Sequence, residues 1–475
     1  MSADLPPYPE YRDSGVPWVG DVPAHWEVLR TRYLLREVDR RSEAGAETHL
    51  SMSQKLGLVP ASMIGQGTLV SASYAGGKLC QRDDLVLNRL KAHLGVFALS
   101  RQAGVISPDY TVLRKTGPMA MPYFEYVLRS SACRVELRRR AKGIVEGFWR
   151  LYTDDLYDIR LPTPPLDEQA AIVHFLEHSD RRIRRYIAAK KKLLALLDEQ
   201  KRAIIHHAVT RGLDPSVRLE RTGLSWLEEI PAHWEVRRLA SIANVVDPNP
   251  SHRNPDYVDD GFPFISTVEF IGSDEVLVDT PRRVAESTVA EQERRCGFVK
   301  GSIAFSRKGT VGAVRVLPSD IRFALLDSVC VVNPGPRMDA RFLYRFLGSE
   351  AIKVQCGAII RGAALPQLSV GRVRMLNVLV PPLGEQASII TEIDSESRRL
   401  DEAIAKCRLE IGLLREYQTR LVTDVVTGHL DVREAATRLP DEVDEPESLR
   451  GEAPSEGDES EDEAAVDAAF VEGEA

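Results

Sequence analysis

The seven residues "VPAHWEV" at 22–28 return almost unchanged as "IPAHWEV" at 230–236, 208 residues later. A repeat on this scale bears on the architecture before any local pattern, because it predicts two copies of one structural plan. The wider segments "SGVPWVGDVPAHWEVLR" (14–30) and "TGLSWLEEIPAHWEVRR" (222–238) also match Trp18 with Trp226 and Arg30 with Arg238. We therefore expect each heptapeptide to open one copy of a duplicated unit.

The match continues at an offset of about 218 through segments that have diverged more strongly. Arg89 in "DDLVLNRLKAHLGVFAL" (83–99) aligns with Arg307 in "KGSIAFSRKGTVGAVRVL" (300–317), and Asp109 aligns with Asp327. "PPLDEQAAI" (164–172) lies over "PPLGEQASI" (381–389), and "VTRGLD" (209–214) lies over "VTGHLD" (426–431). The sequence therefore predicts two copies of one structural unit.

Each copy has two parts. The first is rich in short β-branched runs separated by Gly and Pro, which predicts a compact α+β domain. The second begins at the Pro-Pro-Leu motif and predicts one long helix, because Pro can precede a first helical turn and the acidic Asp167, Glu168 and Glu385 suit its positive end. No Pro or Gly interrupts 166–210, and only Gly412 interrupts the second helix.

Both predicted helices carry apolar residues at alternating spacings of four and three, which is typical of a coiled coil and requires a facing helix. We expect the two copies' helices to pack on each other as a rod of about 63 Å. Polar positions in the seam, among them Asp180, Lys190, Lys201, Ser397 and Gln418, would help to fix the register. The apolar seam positions are Leu176, Ile183, Ile187, Leu194, Leu197, Ile204, Ile393, Leu400, Ile404, Ile411, Leu414 and Leu421.

The net charge of −8 conceals a basic body. Residues 440–475 hold fifteen Asp or Glu and one Arg, so the other 439 residues carry +6, which suits a polyanionic partner. The tail is acidic and nearly free of aromatic residues, so we expect it to be disordered and either to solubilise the chain or to temper nonspecific nucleic-acid contact. The sequence shows no secretory signal and no apolar run of 18 residues, which predicts a soluble, cytoplasmic protein.

Motifs for catalysis are missing. The six cysteines are scattered without a CxxC pair, so we expect buried thiols and no metal site. The sequence has no phosphate-binding Gly-rich loop and no methyltransferase or nuclease signature. His25-Trp26-Glu27 could be an acid–base pair. We favour a structural role in which Trp26 and Trp234 anchor the chain where it enters each domain.

The globular parts are rich in hydrogen-bond donors. Arg and Lys neutralise phosphates, while Arg to guanine and Asn or Gln to adenine are favoured base contacts. A strand that ends in Asn-Arg or Ser-Arg, with Gly a few residues later, occurs once in each copy. The predicted DNA-binding residues are Asn88, Arg89, Lys91, His93, Arg101, Arg139, Lys142, Arg307, Lys308, Thr310, Arg315, Arg361 and Gln367.

The chain resembles the specificity subunits of type I restriction–modification systems over nearly all of its length except the acidic tail. The repeated heptapeptides, the pair "LPTPPLDEQAAI" and "LVPPLGEQASI", and the pair "VTRGLD" and "VTGHLD" carry this resemblance. It implies two target-recognition domains that each read one half of a split double-stranded DNA sequence, with two antiparallel helices as a spacer. The approximate two-fold axis would let both domains face DNA equivalently.

The resemblance also implies a non-catalytic subunit that docks two methyltransferase subunits and, further out, restriction subunits. S-adenosylmethionine, Mg²⁺ and ATP would then act on those partners, with no cofactor or metal on this chain. We expect the first recognition domain at 1–160, its spacer helix at 161–214, the second domain at 215–378, its helix at 379–432 and the tail at 433–475.

Two other classes of protein stay open at this point. A self-sufficient DNA enzyme with an unrecognised centre would cleave or methylate DNA without partners. A coiled-coil scaffold that joins proteins without reading DNA would keep its complex's DNA selectivity after Arg89→Ala and Arg307→Ala.

Overall fold

The chain forms two units in a computed structural model that describes residues 5–53, 56–64, 74–143, 149–253, 255–271, 275–360 and 367–440. The first unit comprises the chain up to Ala189 together with the part from Glu410 onward. The second unit is Lys190–Leu409. Each unit holds a globular part and one segment of each of two long helices.

The helices and strands follow in chain order. The α-helices are α1 Thr31–Leu34, α2 Met121–Arg129, α3 Ser131–Arg140, α4 Thr153–Tyr157, α5 Leu166–Arg211, α6 Glu286–Cys296, α7 Ala340–Leu347, α8 Glu350–Ile360, α9 Val370–Arg374, α10 Leu383–Val426 and α11 Arg433–Thr437. Short 3₁₀ helices cover Ala61–Met63, Arg89–Leu94, Leu239–Ser241 and Thr267–Glu269. The strands of the first unit are β1 Tyr11–Asp13, β2 Asp21–Pro23, β3 Glu27–Arg30, β4 Leu35–Glu37, β5 Leu50–Ser53, β6 Gly57–Pro60, β7 Lys78–Cys80, β8 Leu85–Asn88, β9 Phe97–Leu99, β10 Gly104–Ile106, β11 Tyr110–Lys115 and β12 Arg160–Thr163. Those of the second are β13 Leu219–Leu224, β14 Leu227–Pro231, β15 Glu235–Arg238, β16 Ala243–Val246, β17 Tyr257–Ile265, β18 Phe270–Ile271, β19 Glu275–Val276, β20 Arg283–Val284, β21 Ile303–Ser306, β22 Val314–Val316, β23 Ala324–Leu325, β24 Val329–Pro334 and β25 Asn377–Val380.

The central sheets of the two units have the same topology. In the first unit the order is β4-β11-β8-β9, and in the second it is β16-β24-β21-β22. In both, the first strand along the chain pairs with the fourth, the fourth with the second, and the second with the third, always antiparallel. Antiparallel hairpins also match between units, since β1 pairs with β2 and β13 with β14.

The middle strands bury both faces of each sheet. Leu85 and Leu87 on β8 contribute to the larger core of the first unit, while Val86 between them points into a second cluster on the other face. On β21, Ile303 and Phe305 contribute to one core and Ala304 to another. This alternation follows from the period of two along a strand, and it explains why these strands are continuously apolar.

The long helices begin where the sequence predicts, directly after each Pro-Pro pair, and Gly412 does not interrupt the second one. The seam positions on both helices are buried or half-buried. In the first unit Gln418 donates to Asp180, and in the second the Lys201 ammonium lies 2.6 Å from the Asp401 carboxylate. The described residues include no helix that is both long enough and apolar enough to cross a bilayer.

Candidate nucleic-acid interface

A buried carboxylate ties the repeated heptapeptide of the first unit to the start of α5. Glu168 is 4% exposed and lies in the first turn of this helix. Its carboxylate accepts hydrogen bonds from Trp26 Nε1 at 2.9 Å and from the Tyr8 hydroxyl, and lies 2.8 Å from His25 Nε2. We name these four residues the first helix-entry cluster.

The second unit repeats this arrangement at the start of α10. The Glu385 carboxylate lies 2.8 Å from His233 Nε2 and accepts from Trp234 Nε1 at 3.1 Å. These three residues are the second helix-entry cluster. Its carboxylate is more accessible, with 28% of the side chain exposed against 4% for Glu168.

The glutamine after each glutamate holds the loop before a neighbouring helix. Gln169 accepts from the backbone N–H of Ala120, which precedes α2, and donates to the Pro164 carbonyl. Gln386 accepts from the Asp339 N–H, at the N-terminus of α7, and donates to Pro381. The pair "EQ" therefore joins each long helix to its globular part.

The helix-entry clusters decide between the two interpretations of His-Trp-Glu. Trp26 is 1% exposed and Trp234 is 5% exposed, and both belong to the main core of their unit. The imidazole of His25 meets Glu168, 143 residues away along the chain, and not the adjacent Glu27 as the acid–base interpretation supposed. The predicted role of Trp26 and Trp234 as apolar anchors is confirmed.

A basic connection follows the second strand of each central sheet. In the first unit it is the 3₁₀ helix Arg89–Leu94 between β8 and β9. The Asn88 side chain caps this helix by accepting from the Leu90 N–H. Lys91 is exposed, and the side chain of His93 lies outside the described residues.

The second unit makes its connection with residues 307–313, between β21 and β22. Thr310 is exposed in this loop. Gln367 is exposed as well, and it forms an isolated antiparallel bridge with Lys308. Lys308, Thr310 and Gln367 therefore belong to one surface region, whereas Arg361 lies outside the described residues.

The first residue of each connection turns towards a carboxylate. Arg89 donates to Glu37 Oε1 at 2.9 Å and to the Thr111 hydroxyl at 2.5 Å. Its aligned partner Arg307 is 2% exposed and donates to Asp247 Oδ2 at 3.2 Å. Both guanidiniums are therefore held by carboxylates within the protein, and Arg307 does not face solvent.

The Asp327 carboxylate contacts two basic side chains at the start of the second connection. The Lys308 ammonium lies 2.5 Å from its carboxylate, and His252 Nδ1 lies at 2.8 Å. Burial raises the pKa of Asp327, but the hydrogen bonds from Lys308 and His252 outweigh burial, so the pKa lies below its usual value. The aligned Asp109 meets a different cation, since it lies 3.2 Å from Arg150.

The remaining predicted contacts differ in accessibility. Arg101 and Arg139 are exposed, and Arg139 lies 3.3 Å from Glu136. Lys142 is exposed and lies 2.7 Å from Asp155. Arg315 is 9% exposed, and its guanidinium carbon lies 5.1 Å from the ring centre of Phe270.

Sequence reasoning missed the partners that hold these side chains. It assigned Glu168 and Glu385 only a favourable place at a helix start, and it did not single out Glu37 or Asp247. A signal for the glutamates was available, because "HW" and "EQ" are both retained in the two diverged copies. No comparable signal marks Glu37, since partners of a guanidinium depend on the fold.

The expected buried thiols are confirmed, because all six cysteines are buried and unpaired. Across the described residues, no group of His, Cys, Asp and Glu side chains is arranged to hold a metal ion.

Comparison with known proteins finds similarity to type I restriction specificity subunits. Residues 231–406 match the family model of the type I restriction modification DNA specificity domain. The MjaIX type I restriction enzyme specificity subunit of Methanocaldococcus jannaschii is 20% identical over 356 residues, which cover 74% of this chain and 78% of the relative. The MjaVIII specificity subunit of that organism is 20% identical over 366 residues, covering 75% and 81%.

A solved chain from work on complex assembly and conformational transition of a type I restriction–modification system has a related fold. It is 16% identical, with a TM-score of 0.63 over 86% of this chain and 99% of that one. The predicted resemblance to type I DNA specificity subunits is therefore confirmed. Both relatives are named as specificity subunits.

Proposed function

We propose that this chain supplies sequence specificity to a type I restriction–modification complex by binding a bipartite double-stranded DNA target. The globular part of each unit reads one half of the target. Helices α5 and α10 form an antiparallel coiled coil that sets the unread gap between the halves. The boundaries are those expected from the sequence: recognition domains at 1–160 and 215–378, spacer helices at 161–214 and 379–432, and the tail from 433.

The observation that carries the proposal is the common topology of the two central sheets. The family model matches only residues 231–406, which lie in the second half of the chain. The first unit has the same strand order, and its helix-entry cluster shares a histidine, a tryptophan and a glutamate with the second. Two copies of a DNA specificity scaffold with diverged polar residues suit two different half-sites.

The exposed candidates are the proposed DNA contacts. In the first unit these are Lys91, Arg101, Arg139 and Lys142, and in the second they are Thr310 and Gln367, with the half-buried Lys308 beside them. Arg89, Arg307, Arg315 and Asn88 are engaged within the protein and would position the connections. His93 and Arg361 stay predicted contacts.

The catalytic chemistry is proposed to lie on partners. Two methyltransferase subunits would dock on this chain and carry S-adenosylmethionine, and restriction subunits would add ATP- and Mg²⁺-dependent cleavage. Because the proposed substrate is genomic DNA, we also propose a cytoplasmic location.

The spacer role can be tested by lengthening both helices. Seven residues inserted into α5 and seven into the facing part of α10 would add about 10 Å, which is about three base pairs of B-DNA. Methylated sites mapped after co-expression with the methyltransferase subunits should keep both half-sites and gain a gap about three base pairs longer. An insertion in α5 alone breaks the seam and is the control. Altered half-site sequences with an unchanged gap would refute the spacer role.

Half-site assignment can be tested by paired substitutions. Thr310→Ala with Gln367→Ala should relax recognition of one half-site only, and Lys91→Ala with Arg101→Ala should affect only the other. The salt dependence of binding should weaken in the second variant, because two cations are lost. Equal effects on both half-sites would refute the proposal that each recognition domain reads its own half-site. DNA cleavage or methylation by the purified chain alone would instead support a self-sufficient enzyme.

A further inference from the structure

The segment that leads into α4 in the first unit and the one that leads into α9 in the second have the same backbone arrangement. The N–H of Leu151 donates to the carbonyl oxygen of Arg89 at 3.2 Å, and the N–H of Leu368 donates to that of Arg307 at 2.8 Å. Both leucines are fully buried, and each belongs to the main core of its unit. Each segment is therefore attached to the residue with which the basic connection of its unit begins.

The residue before each buried leucine has an equivalent place in both units. It is Arg150 in the first unit and Gln367 in the second. The residue after the leucine is in both units the extended N-cap of a short helix, Tyr152 before α4 and Ser369 before α9. The sequence agrees with this register, since Arg150 and Gln367 each lie fourteen residues before the first proline of the Pro-Pro-Leu motif.

Both side chains reach the surface beside a lysine of the proposed DNA interface. Arg150 exchanges two backbone hydrogen bonds with Lys142, at 2.8 and 2.9 Å, and Gln367 forms a bridge with Lys308. The Arg150 side chain is 38% exposed, and Gln367 is exposed. Nη2 of Arg150 donates to Asp109 at 3.2 Å. Because a guanidinium has five N–H donors, this contact leaves donors for a second partner.

Arginine and glutamine select different bases in the major groove. A guanidinium can donate to both O6 and N7 of guanine, whereas a glutamine amide can pair with both N6 and N7 of adenine. A guanidinium has no acceptor for the N6 amino group of adenine. Two different side chains at one position of a duplicated scaffold therefore give the two units different base preferences.

We propose that Arg150 and Gln367 are equivalent base-reading residues. Arg150 binds a guanine in one half-site, and Gln367 binds an adenine in the other. This inference rests on the proposed role in sequence-specific DNA recognition. It adds to that role a residue, Arg150, that the sequence pattern did not single out, and it states which base each domain selects at this position.

Substituting each residue by the other tests the proposal in the complex with the methyltransferase subunits. Methylated sites are mapped after co-expression of the wild type, Arg150→Gln and Gln367→Arg. Arg150→Gln should lower the preference for guanine over adenine at one position of one half-site by about 10- to 100-fold, the discrimination that a bidentate base contact provides. Gln367→Arg should lower the preference for adenine over guanine at one position of the other half-site by a similar factor.

Arg160→Gln is the matched control. Arg160 is exposed on β12 in the same unit as Arg150 and has no place in the proposed interface. The same change of residue type and charge should therefore leave both half-sites unchanged. A shift in base preference with Arg160→Gln equal to that with Arg150→Gln would contradict the assignment of Arg150.

A base analogue tests the contact in the wild-type complex, so the outcome does not depend on a variant that fails to fold. 7-Deazaguanine lacks the N7 acceptor, and it replaces each guanine of the two half-sites in turn. At one guanine it should weaken binding by about tenfold, because a hydrogen bond to a charged group is lost. In the complex with Arg150→Ala, the analogue at that position should have no further effect.

Three results would overturn the proposal. Both exchanges could alter the same half-site, Arg150→Gln could leave both half-sites unchanged, or no guanine in either half-site could be sensitive to the analogue. A wild-type complex that methylates DNA without regard to sequence would instead contradict the proposed function, and this inference with it. The wild-type methylation map therefore separates the two kinds of failure.

Discussion

Removing the carboxylate of the first helix-entry cluster should strongly destabilise the first unit. Glu168→Ala leaves Trp26 Nε1 and the Tyr8 hydroxyl without their acceptor in a site that is almost closed to water. Each buried unsatisfied donor costs about 1–3 kcal/mol. His25 is 43% exposed at its side chain and can turn to solvent. We therefore expect a loss of about 4 kcal/mol.

The duplicated site provides an internal comparison. Glu385→Ala removes the acceptor of Trp234 and His233, but no tyrosine takes part and the Glu385 side chain is 28% exposed. Water can replace this carboxylate, so we expect a loss of about 1 kcal/mol. The same substitution in the same motif should thus differ by about 3 kcal/mol between the units, because burial differs.

Hydrogen exchange followed by mass spectrometry can measure the two units separately. A difference of about 3 kcal/mol corresponds to about 150-fold in the opening equilibrium. Core peptides of β8 and β11 should lose protection in Glu168→Ala far more than peptides of β21 and β24 do in Glu385→Ala. Asp167→Ala, an exposed neighbour in the same turn, is the control and should cost at most about 1 kcal/mol. Equal losses at the two sites, or unchanged protection in Glu168→Ala, would refute the assignment of burial as the cause.

Three further predictions concern single residues. Gly428 has φ +83°, and a Cβ there would lie 2.4 Å from Pro23 Cδ, so Gly428→Ala should lower the melting temperature and cost about 2 kcal/mol or more. Gly412 is within α10 with open space around it, so Gly412→Ala should raise the free energy of unfolding by about 1 kcal/mol in urea melts. Burial raises the pKa of Asp327, but the hydrogen bonds from Lys308 and His252 and the charges of Lys308 and Arg307 together lower it more, so the net pKa lies below its usual value of 3.8. Its ionised form therefore stabilises the fold above pH 4, and this contribution is lost as the pH falls through the folded pKa. Asp327→Asn should flatten the acid limb of a stability–pH profile, and an unchanged limb would contradict this.

The architecture could be predicted from the sequence to the extent that it depends on periodicity and repetition. The Pro-Pro-Leu motif and the uninterrupted run 166–210 predict a helix that the structure places at Leu166–Arg211. The alternating spacings predict which side of each helix is buried, because a helical face is a property of sequence position alone. The repeated β-branched runs likewise predict two α+β parts, but they do not reveal the order of strands within a sheet.

The candidate interface was less predictable because side-chain direction depends on tertiary contacts. Arg89 and Arg307 were singled out by their aligned position, yet each turns to a carboxylate contributed from the neighbourhood of the edge strand. A buried guanidinium needs such a partner, since an unpaired buried charge is costly. Lys91 and Thr310 were predicted on equal grounds and are exposed. The sequence pattern alone does not distinguish Arg89 and Arg307, which pair with carboxylates, from the exposed Lys91 and Thr310.

The duplicated heptapeptide places one tryptophan beside the start of one long helix and the end of the other in each unit. In the first unit, Trp26 binds Glu168 at the start of α5, and a Cβ at Gly428, after the end of α10, would lie 3.1 Å from the Trp26 ring. In the second unit, Trp234 binds Glu385 at the start of α10, and the same construction at Gly212, after the end of α5, gives 3.3 Å to its ring.

Each tryptophan therefore lies where one long helix begins and the other ends. The lack of a side chain at each glycine lets the chain pass close to the indole, and the positive φ of +83° at Gly428 and +77° at Gly212 favours glycine on its own account. The start of a helix leaves N–H groups unpaired and carries partial positive charge, which suits a buried glutamate there. The two long helices have two such starts, one in each unit. One copy of the heptapeptide serves each, so "HW" and "EQ" recur in both copies while the strands between them diverge. A glycine follows each helix as well, although Gly212 and Gly428 are one position apart in the aligned copies.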